Sequence, residues 1–186
     1  MHRIAIPTGI VILILLSAVG WLNYHISQYD SLISQASARN GVDFSLVKAL
    51  MYEESWFWPD RRGQAGDLGL MQITRAAASD FATHKGFPQF QGNRFIEPEL
   101  NIEIGCWYLK QSLDHYKNSP HPTLFALLRY NAGEIRADHW LEKGMTMPRL
   151  AGMSIEDHFL AQVDFPKTRA YVQRILKRYK SRNFWF

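Results

Sequence analysis

The sequence predicts an all-α domain preceded by one long apolar helix. Three observations carry that reading. Helix start and stop residues recur along the chain, strand-like alternation is scarce, and Ile4 to Leu22 contains no charged residue. With 186 residues, 47% hydrophobic and 20% charged, the chain can bury one core and does not have the composition of a disordered polymer.

The first element is "IAIPTGIVILILLSAVGWL", behind the basic start Met1-His2-Arg3. As a helix, Ile4 to Leu22 spans about 28 Å, close to the hydrocarbon thickness of a bilayer. A basic start and an apolar run mark a segment sent to or across a membrane. Ala18 and Gly20 form a small-x-small pair of the kind a signal peptidase accepts. The length of the run, and Trp21 and Tyr24 as an interfacial pair, favour an uncleaved anchor over residues 1–24. Residues 25–186 then form one domain outside the cytoplasm.

Six helices are expected in that domain, between Tyr29 and Lys180. "YDSLISQASARNG" starts at Asp30 as cap and stops at Gly41. "DFSLVKALMYEES" starts at Asp43. "TRAAASDFATHKG" has Thr74 as cap and Gly86 as stop, and "EPELNIEIGCWYLKQSLDHYK" carries Pro98 in its first turn. "PTLFALLRYNAG" runs from Thr123 toward Gly133, and "FPKTRAYVQRILKRYK" closes the domain. The intervening segments are polar or rich in Gly and Pro and read as loops. Helices without strands make an all-α architecture.

Composition narrows the function. Cys106 is the only cysteine, so an intrachain disulfide and a multi-cysteine zinc site are excluded, and the thiol reads as core. Charge +4 and a pI near 9.2 fit an anionic envelope polymer, a lipid surface or nucleic acid. The basic cluster Lys177, Arg178, Lys180 and Arg182 reads as a solvated helix end. The tail "KRYKSRNFWF" interleaves arginine and aromatics, yet beside an anchor a packed tail of Phe184, Trp185 and Phe186 is the better reading than nucleic-acid contact. Neither a nucleophile elbow nor a phosphate-binding glycine loop occurs, and His115 and His121 do not make a metal motif.

One stretch stands out. "ALMYEESWFWPD" sets Glu53 and Glu54 in an apolar, aromatic run. At about 100° per residue, Val47, Leu50 and Met51 fall within about 60° of Glu54, so Glu54 sits in the middle of the apolar stripe. Glu53 lies on its shoulder, and Ser45, Lys48 and Tyr52 lie on the far side. A carboxyl on the stripe loses hydration and its pKa rises. Such a group can donate a proton near neutral pH, as glycoside cleavage requires. A structural glutamate satisfied by a buried arginine or by backbone is the alternative. Sugar faces stack on aromatic rings, so at least one of Trp56, Phe57 and Trp58 can floor a subsite, with none singled out; the alternative is that they cap the core at the helix end, which is the preferred reading for Phe57.

Further motifs follow in order: Glu54-Ser55, "GDLGLMQIT" at 66–74, "EPELNIEIGCWYL" at 97–109, "RYNAG" at 129–133 and "TRAYVQRIL" at 168–176. Together they resemble the catalytic domain of the soluble lytic transglycosylase (SLT) family. The resemblance implies a lysozyme-like all-α fold over Tyr29 to Lys180. It implies Glu54 as the sole catalytic acid and base, Ser55 orienting it, and Gln72, Asn131 and Tyr171 lining the substrate cleft. Gly69 and Gly133 would let backbone approach a glycan. Asp67, Thr74 and Lys167 depart from the family pattern, and Asp67 matters most because a second carboxylate could activate water.

The implied substrate is peptidoglycan, cut between N-acetylmuramic acid and N-acetylglucosamine to leave a 1,6-anhydro end. No metal or cofactor is needed, and the protein is expected to act as a membrane-anchored monomer in the bacterial envelope. The rival chemistry is lysozyme-type hydrolysis by Glu54 with Asp67. A rival from another class is an inactive, membrane-tethered glycan-binding module.

Overall fold

The structure, a computed structural model, describes residues 8–88, 90, 93–182 and 184. The basic start Met1-His2-Arg3 and the terminal Trp185 and Phe186 lie outside the described residues. The described helices are α1 (Thr8–Ser27), α2 (Asp30–Asn40), α3 (Phe44–Ser55), α4 (Arg75–Lys85), α5 (Pro98–His115), α6 (Pro122–Ala132), α7 (Glu134–Thr146), α8 (Ile155–Leu160) and α9 (Pro166–Ser181). A 3-10 turn spans Arg94–Ile96. Among the described residues, strand pairing is limited to two isolated bridges, Arg62 with Leu68 and Leu68 with Ile73. The all-α expectation holds.

Local chemistry sets most boundaries as expected. The Asp43 carboxylate accepts the Ser45 and Leu46 N–H groups at 2.7 and 3.1 Å and starts α3. Thr74 caps α4 through the Ala77 N–H at 3.0 Å. Gly41 and Gly86 end α2 and α4 in the left-handed conformation. Pro98 is the first residue of α5. Asp30 is a correction. It lies inside the first turn of α2, with Tyr29 in the cap position, and its carboxylate bonds Lys48 Nζ at 2.6 Å. That pair corrects a second point as well. Lys48, on the far side of the α3 stripe, is buried, because α2 covers that side. Its ammonium lies over the rings of Phe44 and Phe184, at 5.7 and 5.1 Å. The described part of the tail is therefore packed.

Two helices fall in segments read as loops. In α7 only Ala137, Trp140 and Gly144 are buried, a stripe too narrow to stand out in "EIRADHWLEKGMT". The six-residue α8 starts at Ser154, which accepts the Asp157 N–H at 3.0 Å. The expected Thr123 start of α6 moves to Pro122, capped by the His121 ring accepting the Leu124 N–H at 3.2 Å.

The core is built around α5, which packs against α2, α4, α6 and the 3-10 turn. Ile102, Ile104, Cys106 and Leu109 are fully buried on it. Burial pushes the Cys106 thiol up to about 12, so it is an inert core group. Helix α3 packs on α2 and α9, and α9 also packs on α6. The last turn of α1 joins the domain: His25 and Ile26 are buried, while most of the helix before them is exposed apolar surface. The boundary expected after residue 24 thus falls inside α1.

Asn101 on α5 fixes the turn at 68–73. Its side chain is fully buried, accepts the Met71 N–H at 2.8 Å, and donates to the Leu68 and Phe95 carbonyls at 2.9 and 2.8 Å. Gly69 has φ +80, and a Cβ there would lie 2.5 Å from the Asn101 amide nitrogen. The close approach that Gly69 permits in the structure is to Asn101. Asn101→Ala would strand the buried Met71 N–H and Phe95 carbonyl, each costing about 1–3 kcal/mol, while the Leu68 carbonyl keeps the Ile73 N–H at 2.8 Å. The expected outcome in a thermal melt is a Tm at least several degrees below wild type. A melt within one degree of wild type would show that Asn101 does not hold the turn.

Candidate active site

The site starts from the C-terminal turn of α3. Glu54 faces α9, where the Tyr171 hydroxyl donates to its Oε1. Part of its surface reaches solvent, but protein atoms surround the carboxyl closely. An edge open to solvent reconciles the two. Desolvation pushes its pKa up to about 8, the Tyr171 hydrogen bond opposes the rise, and the charges of Asp67 and Glu53 add to it. Glu53, on the shoulder as the helical wheel placed it, pairs with Arg174, whose Nε donates to its carboxylate at 2.8 Å.

Neighbouring elements bring the other candidates in. Tyr171 is nearly buried on α9 and its hydroxyl pKa is raised, first by burial and then by the Glu54 charge. One turn earlier, Thr168 donates to the Asn131 amide oxygen at 2.8 Å. Asn131 is exposed, so its amide nitrogen is left facing outward as a donor. One face of α9 thus positions both Glu54 and Asn131. Gln72 has φ +48, and its amide nitrogen donates to the Gly69 and Arg61 carbonyls at 2.8 and 3.1 Å. Its amide oxygen and the Asp67 carboxylate both lie against Gly63, 2.8 and 2.7 Å from where a Cβ would stand. The Ser55 hydroxyl donates to the Met51 carbonyl at 3.2 Å, inside its own helix.

Two residues were missed by sequence reasoning. Tyr130 donates to the Met71 carbonyl at 2.9 Å, and after burial the Glu54 charge is the largest cause of its raised pKa. It ties α6 to the 68–73 turn beside the carboxyl. Its presence in "RYNAG" was the available clue. Thr168 carried none, since its partner is distant in sequence.

Elsewhere, His115, Glu134 and Asp138 bring ligand atoms within 4.8 Å of one another at the surface. Asp138 accepts the Tyr116 hydroxyl at 2.6 Å and Glu134 pairs with Arg129 at 2.7 Å, so the cluster has internal partners. A separate cavity of about 470 Å³ is lined by Phe81, Lys85 and the pairs Arg39–Glu103 and Arg94–Glu97.

Residues 31–149 match the family model of the transglycosylase SLT domain. The chain belongs to the SLT transglycosylase domain family. The SLT domain here is 30% identical over 149 residues to the soluble lytic murein transglycosylase of Salmonella typhimurium, covering 80% of this chain and 22% of that protein. It is 28% identical over 170 residues to the membrane-bound lytic murein transglycosylase F of Desulfosudis oleivorans, covering 82% and 36%. Among solved structures it superposes on an inactive mutant of the lytic transglycosylase Slt of Pseudomonas aeruginosa with a TM-score of 0.70 at 27% identity, covering 82% of this chain and 23% of that one. The 70 kDa soluble lytic transglycosylase of Escherichia coli gives 0.68 at 27% identity, covering 82% and 24%. The chain therefore spans about a fifth to a third of its curated relatives' length.

The raised carboxyl makes a stability prediction for the SLT domain. Glu54 titrates near its ordinary 4.5 when unfolded and near about 8 when folded. Between those values the native state binds more protons, so folding stability is lost as pH rises through the window and the loss is complete above it. Glu54→Gln removes this titration. Its stability advantage over wild type, read from thermal melts, should grow from pH 4.5 to pH 8 and then level off at about a few kcal/mol at most, since one unit is about 1.4 kcal/mol and the edge open to water screens part of it. A pH-independent gap between the two melts would refute the raised pKa.

Proposed function

We propose that this SLT domain is a lytic transglycosylase of peptidoglycan. It cleaves the β-1,4 bond between N-acetylmuramic acid and N-acetylglucosamine without consuming water. The observation that carries the proposal is the Glu54 carboxyl, dehydrated between α3 and α9 and touched by the Tyr171 hydroxyl. The family match and the names of the relatives support the substrate class.

In the proposed mechanism Glu54 enters protonated and gives its proton to the glycosidic oxygen as the C1–O bond breaks. The acetamido oxygen of the same sugar closes on C1 and carries the positive charge. Glu54, now a carboxylate stabilised by Tyr171, takes the proton of the C6 hydroxyl while O6 bonds to C1 and the acetamido oxygen leaves C1, regenerating the acetamido group. The carboxyl ends protonated, and the product is a 1,6-anhydro ring. The outward amide nitrogen of Asn131 and the amide oxygen of Gln72 bind sugar hydroxyls or acetamido groups. Ser55 acts through the helix turn that carries Glu54. No metal or cofactor takes part.

A second reading rests on Asp67, whose charge acts on Glu54. A water held by Asp67 could replace O6, giving hydrolysis. The placement proposed for the enzyme is the outer face of a bacterial inner membrane, as a monomer anchored by α1. The apolar, mostly exposed α1 and the membrane-bound relatives support it.

Purified sacculi digested with the full chain should release muropeptides ending in 1,6-anhydro-N-acetylmuramic acid by mass spectrometry. Reducing ends one water heavier, with no anhydro species, would make the enzyme a hydrolase. Glu54→Gln should lower turnover by roughly a thousandfold, the scale of a lost general acid–base group, with glycan binding retained. The rate should hold through neutral pH and fall as pH passes about 8, where the proton leaves Glu54. Tyr171→Phe removes a hydrogen bond to the carboxylate, so that alkaline limb should move to higher pH. A limb that stays in place would deny Tyr171 this role.

A further inference from the structure

The aromatic run after Glu54 packs on the end of α1. The His25 ring stacks on Trp21 with centroids 5.1 Å apart, lies 5.0 and 4.6 Å from Trp56 and Trp58, and its Nε2 bonds the Trp56 carbonyl at 2.8 Å. Trp56 and Phe57 are both left-handed, with φ +50 and +62, a conformation costing about 1–2 kcal/mol in a residue with a Cβ. The buried Phe57 ring and the His25 bond hold them there. The last turn of α1 is thus the cover on the C-terminus of α3 and not a loose tether. On its outer side, Trp21, Tyr24 and Trp58 are 51%, 67% and 46% exposed, directly below the charge-free, exposed run Ile10 to Val19.

We propose that Trp58 of the catalytic domain lies with Trp21 and Tyr24 in the lipid interface, so that the domain rests on the membrane and its cleft is held at a fixed, short height. Amphipathic rings at the end of an apolar span favour the headgroup level. Trp58 is four positions after Glu54, so their Cα atoms lie within about 15 Å. The enzyme therefore works on glycan strands next to the bilayer. Exposed Arg61, whose N–H bonds the Trp58 carbonyl at 3.3 Å, sets a cation at the rim for lipid phosphates.

This inference rests on the reading of α1 as a membrane span. The test reconstitutes the full chain in phosphatidylcholine vesicles with brominated acyl chains and compares tryptophan quenching in wild type, Trp21→Phe and Trp58→Phe. Both variants should lose a comparable share of the quenchable emission. Loss in Trp21→Phe alone overturns the resting domain and leaves the anchor standing; loss in neither overturns both. Should Trp58→Phe not fold, a nitroxide at Asp60→Cys serves, since Cys106 is buried and unreactive. Greater accessibility to oxygen than to a nickel chelate supports the contact, and a water-like ratio overturns it.

Discussion

The site depends on one constraint: a carboxyl must stay short of water while keeping an edge open to a cleft. Helix α3 supplies the dry side by placing Glu54 on its apolar stripe, and α9 closes the other side with Tyr171. These two effects oppose each other, because desolvation favours the acid while the Tyr171 hydrogen bond favours the carboxylate. Their balance leaves a group near neutrality, able to give a proton and to take one back. The packing of α3 against α9, and of α9 against α6, is what keeps the two in register.

How much of this was legible depended on whether the information was local. Asp43, Thr74, Gly41, Gly86 and Pro98 act on neighbours a few residues away, and each sets the boundary that it was expected to set. The dry position of Glu54 was legible because periodicity along one helix decides it. Lys48 was not: its burial comes from α2 crossing the polar side of α3, and a helical wheel holds no information about a second helix. Helix α7 was invisible for a related reason, since three buried positions suffice once α6 provides the surface they meet.

The least legible part was the support around the site. Asn101 looks like a polar residue in a helix, yet it bonds two backbone groups of a turn some thirty residues away and the Phe95 carbonyl of the 3-10 turn before its own helix. Tyr130 and Thr168 likewise act across long separations, one on the 68–73 turn and one on Asn131. The family resemblance supplied Gln72, Asn131 and Tyr171 as names; the structure supplies what each side chain touches. For Ser55 and Gly69 the structure adds contacts with the Met51 carbonyl and with Asn101.

Asp67 bears on the chemistry whichever product forms. As a charged neighbour it raises the energy of ionised Glu54, which helps to keep the acid loaded before cleavage. The same charge makes the carboxylate a stronger base afterwards, when a hydroxyl proton must be taken. Hydrolysis and ring closure differ only in which hydroxyl that is, water's or the C6 hydroxyl of the sugar. A cleft that holds the C6 hydroxyl against Glu54 gives the nucleophile a large effective concentration over solvent. Asp67 can therefore tune the acid without directing water, and its presence alone does not turn a transglycosylase into a hydrolase.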